Sequence, residues 1–63
     1  MKKYYKVSFE YSEGIYCTNI AIAESAAAVK EHYSEYPWVD VKECPAWELE
    51  TCRAKGMPFI NVD

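Results

Sequence analysis

The sequence predicts a small α+β protein: a two-layer ββαβα(β) sandwich with a three- to four-stranded sheet and helices mainly on one face. Three observations carry this reading. Residues 3–12 alternate with a period of two, a stripe at helical spacing follows Ser25, and proline and glycine bound a second helical segment between Pro45 and Gly56.

In the first strand Tyr5, Val7, Phe9 and Tyr11 share one face, and Tyr4, Lys6, Ser8 and Glu10 the other. Glu13-Gly14 marks a turn, since glycine accepts a positive φ, and residues 15–23 form the returning strand. A two-residue turn pairs Val7 with Ile20 and Tyr5 with Ile22. That register puts Cys17, Asn19 and Ala21 on the outer face and keeps Asn19 away from Val7.

Ser25 can cap a helix whose stripe is Ala26, Val29, Tyr33 and Tyr36, ending at Pro37. Trp38 to Cys44 reads as a third strand with Val39 and Val41 on one face. The passage from Ile20 to Val41 is then a βαβ crossover of the usual right hand. Pro45 suits the first turn of the second helix, with Gly56 and Pro58 beyond its end. Residues 59–63 are apolar enough for a short edge strand or an extended packed segment.

The chain of 63 residues is expected to be a single domain, 1–63, near the lower size limit for independent folding. Aromatic residues make up 16%, more than so small an interior needs, so some are expected on the surface. Seven lysines and arginines against ten acids give a net charge of −3, which disfavours direct nucleic-acid binding. No segment has the length of a membrane span, and no signal-peptide core precedes the first strand. Three cysteines without a CxxC pair point to reduced thiols and a cytoplasmic location.

Cys17, His32, Cys44 and Cys52 match the ligand count of a Cys3His metal site, but no two of them have the short spacing that nucleates one. A cysteine–histidine nucleophile pair would need an orienting group, for which only Asn19 or Asp40 offers itself. Gly14 and Gly56 are the only glycines, so there is no phosphate loop, and no cofactor is expected. Cys44 and Cys52 bracket the second helix. At 1.5 Å per residue they stand about 12 Å apart along its axis, too far for a disulfide or a shared metal.

Trp47 and Leu49 lie about 160° apart on that helix, so one helix cannot bury both. Either Leu49 faces the sheet and Trp47 is exposed, or the reverse. Trp38 likewise alternates opposite to Val39 and Val41. One reading packs Trp38 against Trp47 over the sheet edge. The other is a partner-binding surface of Trp47, Trp38, Tyr36, Tyr4 and Tyr16, because tryptophan and tyrosine dominate interface hot spots. Glu43, Glu48 and Glu50 give that surface an acidic part.

The opening YYKVSFEYS, the block CTNIAIAES and the ending AKGMP resemble a family of small accessory proteins carried by conjugative and phage-like elements of low-GC Gram-positive bacteria. The resemblance implies a cytoplasmic accessory protein and supplies no site residues. The expectation is therefore a non-enzymatic protein-interaction module, monomeric or homodimeric. One alternative is an anti-CRISPR-type inhibitor of a host defence nuclease, acting by direct binding or nucleic-acid mimicry through Glu43, Glu48 and Glu50. Another is a metal-binding or thiol-dependent protein.

Overall fold

The computed structural model describes residues 1–62. Its elements are β1 (Lys3–Ser12), β2 (Ile15–Ala23), α1 (Ala26–His32), β3 (Val39–Glu43), α2 (Ala46–Ala54) and β4 (Phe59–Asn61). The strands form one sheet in the order β3-β1-β2-β4. β1 is antiparallel to both neighbours and β4 is parallel to β2, so β2, β3 and β4 all run the same way.

This order explains where the helices go. The chain crosses from β2 over β1 to β3, then returns from β3 past β1 and β2 to β4. Crossovers between parallel strands keep one hand. Two crossovers of one hand that advance in opposite directions across a sheet set their helices on opposite faces. The small α+β fold and its four strands are as expected, but only α1 covers the first face. α1 packs Val29 with Tyr5, Val7, Phe9, Ala21 and Ala23. α2 covers the other face, where Cys52 and Leu49 meet Ile20, Tyr4, Cys44, Met57 and Phe59. Ile20 and Ala21 are adjacent, point to opposite faces and are both fully buried, the mark of a strand covered on both sides.

The hairpin register differs from the expected one. Ser12 does pair with Ile15 around the Glu13-Gly14 turn, where Gly14 has φ +76. An irregularity between Glu10 and Ser12 then leaves Tyr11 as an extra residue, and the ladder beyond it shifts by one. Val7 faces Asn19 and Tyr5 faces Ala21. The expectation that Asn19 would be wasted inside fails because the Asn19 amide donates to the Tyr33 hydroxyl over 3.1 Å. A paired polar group costs little to cover.

The Ser25 hydroxyl accepts from the Ala28 N–H, as its position suggested. α1 stops at His32, short of the expected Tyr36, and continues as turns in which Ser34 and Tyr36 bond back three residues. The stripe still packs: the Phe9 ring lies 4.8 Å from Tyr33 and 4.7 Å from Tyr36. Pro45 precedes α2 in extended conformation, just outside the helix. At the other end Gly56 takes φ +77, its N–H bonds to Arg53 and the Met57 N–H bonds to Cys52. This paired closure with its Met57–Cys52 apolar contact is a Schellman motif. The tail does form a strand, β4, while Asp63 lies outside the described residues.

Candidate interaction surface

Four large apolar side chains remain open at the end of the sheet where β1 turns into β2: Tyr11 at 64%, Ile15 at 55%, Tyr16 at 62% and Trp38 at 46% exposure. Tyr16 stands opposite Glu10, and the Glu10 N–H donates to the Trp38 carbonyl, so Tyr16 and Trp38 flank Glu10 on the face that α2 covers farther down. Their rings meet edge-on with centroids 5.6 Å apart. Two strand spacings would hold them farther apart, so the rings lean together over β1. The Glu10 carboxylate turns away and accepts from the Gly14 N–H at 3.1 Å. Glu10 and Glu13, with Asp40 next along β3, place acids at the same end.

Tyr11 and Ile15 were not foreseen on the surface. Alternation assigned Tyr11 to the core with Phe9, but β1 outruns the helix above it and bulges at Tyr11. The signal available in the sequence was the length of the strand, ten residues against a helical stripe of four.

The remaining expected contact residues do not gather there. Trp47 is 76% exposed on α2, and Leu49 faces the sheet, which resolves that alternative. Trp47 makes no ring contact among the described residues, so the tryptophans do not pack on each other; Trp38 packs on Tyr16. Tyr36 belongs to the α1 face, against Phe9 and Tyr33. Tyr4 is half-buried under α2, with its ring edge-on to Phe59 at 6.3 Å. Glu43 pairs with Lys3 at 3.8 Å, and Glu48 with Lys6 at 3.2 Å. Of the three expected acids only Glu50 has no ion pair among the described residues.

Lys6 and Glu48 tie the middle of the sheet to α2 beside two thiols. Cys44 and Cys52 are both buried in one cluster under α2, and the Cys44 thiol donates to the Pro45 carbonyl at 3.8 Å. The axial separation expected of them does not keep them apart, because Cys44, just past β3, shares the buried cluster under α2 with Cys52. Burial, then the neighbouring Cys52 and Glu48, raise the Cys44 thiol above its ordinary pKa, against the pull of Lys6. The Lys6 ammonium is also raised, first by its hydrogen bond to Glu48 and then by the Glu48 charge.

Cys17 packs on the α1 face, and His32 lies against the Tyr33 ring at 5.1 Å. Among the described residues no group of three histidine, cysteine or acidic side chains is close enough to hold a metal ion. Asn19 is engaged with Tyr33, and Asp40 lies on the opposite face, 4.0 Å from Lys42. A cleft of about 430 Å³ on the α1 face is lined by Phe9, Asn19, Tyr33 and Tyr36 among others, and Asn19 and Tyr33 bond to each other there. No helix among the described residues is long and apolar enough to cross a membrane.

No family model, curated protein or solved structure matches the chain.

Proposed function

We propose that the protein is a non-enzymatic interaction module, a cytoplasmic accessory protein of a mobile element, that binds a protein partner through the hairpin-end surface centred on Tyr16 and Trp38. The observation that supports this is the concentration of Tyr11, Ile15, Tyr16 and Trp38 at one end of the sheet, all about half or more exposed. Scattered apolar residues on a surface need no explanation, whereas grouped ones are the common mark of a contact site. Edge-on aromatic pairs with acids around them fit the hot-spot-and-rim pattern of transient interfaces. The mobile-element setting rests on the resemblance of the opening, central and closing segments. Nucleic-acid mimicry is the less favoured route to nuclease inhibition, since Glu43 and Glu48 are spent on Lys3 and Lys6.

The test is affinity capture from bacterial lysate with wild-type protein, with Tyr16→Ala/Trp38→Ala and with Trp47→Ala. A partner retained by wild type and Trp47→Ala but lost by the double variant supports the surface. Identical captured proteins from all three would refute it.

A further inference from the structure

We propose that the outer edge of β3 pairs with the same edge of a second copy of this chain, forming a two-fold dimer with a continuous eight-stranded sheet. Backbone direction decides which polar groups of β3 stay open. In an antiparallel ladder, alternate residues turn both N–H and C=O toward one neighbour. The Trp38 carbonyl accepts from Glu10 and the Cys44 N–H donates to Tyr4, so the even-numbered residues of this segment face β1. Val39, Val41 and Glu43 therefore turn theirs outward, and β3 is the last strand on its side of the sheet. The opposite edge, β4, has only three residues.

An open edge invites pairing, and lysine on such an edge ordinarily discourages it. Here the charge pattern is self-complementary. Antiparallel pairing about a two-fold axis at Val41 sets Val41 against Val41, Val39 against Glu43, and Asp40 against Lys42 of the second copy, twice. Asp40 and Lys42 share one face and already lie 4.0 Å apart, with side chains 49% and 77% exposed, so both can turn to the second copy without disturbing the core. Opposite charges directly across a ladder stabilise it and like charges destabilise it. The same register brings Trp38 opposite Cys44 of the second copy, next to the start of the helix that carries Trp47. Trp38, about half exposed in the single chain, is thus drawn toward the dimer seam. The seam shares Trp38 with the hairpin-end surface, whereas Tyr11, Ile15 and Tyr16 lie beyond it, and the charge variants below leave all four in place.

Sedimentation equilibrium over a concentration series tests this with Asp40→Lys, with Lys42→Asp and with an equimolar mixture of the two. Each single variant sets like charges against each other at both sites, so its self-association should weaken by about tenfold or more. In the mixture every pair is again opposite in sign, and a heterodimer should form with near wild-type affinity. Circular dichroism establishes that each variant is folded. A wild-type protein that stays monomeric at every concentration overturns the proposal. So does a dimer indifferent to the charge changes, or a mixture that does not recover association.

Discussion

The Asn19 amide donates to the Tyr33 hydroxyl over 3.1 Å, joining β2 to the end of α1 across the face that carries Tyr5, Val7 and Phe9. Tyr33 is 3% exposed, so the hydroxyl has little access to water as a substitute partner. Tyr33→Phe should cost about 1–2 kcal/mol, because it leaves the half-buried Asn19 amide without its acceptor. A double-mutant cycle with Asn19→Ala, read by urea unfolding, should show a favourable coupling energy between the two positions. Additive effects would contradict the observed register.

A sheet covered on both faces makes a sharper demand on neighbouring residues. Ile20→Ala should destabilise by about 2–4 kcal/mol through the cavity left under α2. Ala21→Glu should cost at least as much, by burying an unpaired charge under α1. For so small a domain either loss approaches the whole margin of stability. Thermal unfolding decides the matter: a tolerated Ala21→Glu would mean that the α1 face is open.

Alkaline pH should expose the Lys6–Glu48–Cys44 cluster. The native state holds the Cys44 proton above its ordinary pKa of 9.0, and the Lys6 proton above 10.5. In each case the unfolded chain releases its proton first, so the folded state is favoured fully below those values and loses that advantage as pH rises. Unfolding free energy should therefore begin to fall near pH 9 and fall further above 10.5. Cys44→Ala should remove the first part of the decline, and Lys6→Met the second. Difference curves that are flat across this range would contradict the cluster.

Thiol access should follow burial. Cys17 is half-exposed while Cys44 and Cys52 are buried at 5% and 2%. In native buffer iodoacetamide should modify Cys17 well before the other two, whose labelling should require unfolding. Mass spectrometry of partially alkylated protein checks this, and equal rates at all three would place α2 off the sheet.

Much of this fold was legible in the sequence because local chemistry announced it. The alternation around Val7, the Ser25 cap and the Gly56 stop each reflect forces acting within a few residues. The register was not legible, since a bulge at Tyr11 has no compositional marker and a single extra residue moves every later pair. Strand order was not legible either: it depends on β1 serving both β2 and β3, which no local pattern records. That order put α2 on the far face, brought Cys52 down onto Cys44 and drew Glu48 to Lys6. For the candidate surface, Trp38 was readable as an aromatic out of phase with Val39 and Val41, while Tyr16 was named only for its residue type. Tyr11 and Ile15 were not readable, because their exposure follows from where the helices stop.

The most direct test of the account is calorimetric titration of the captured partner with three proteins: wild type, Trp38→Ala and Trp47→Ala. Trp38 leans on Tyr16 at the hairpin end, while Trp47 stands alone on α2. Trp38→Ala should weaken binding by about 2 kcal/mol or more, the scale of a hot-spot residue, and Trp47→Ala should change it little. Loss of binding in Trp47→Ala with Trp38→Ala unaffected would place the contact on α2 and contradict the hairpin-end surface.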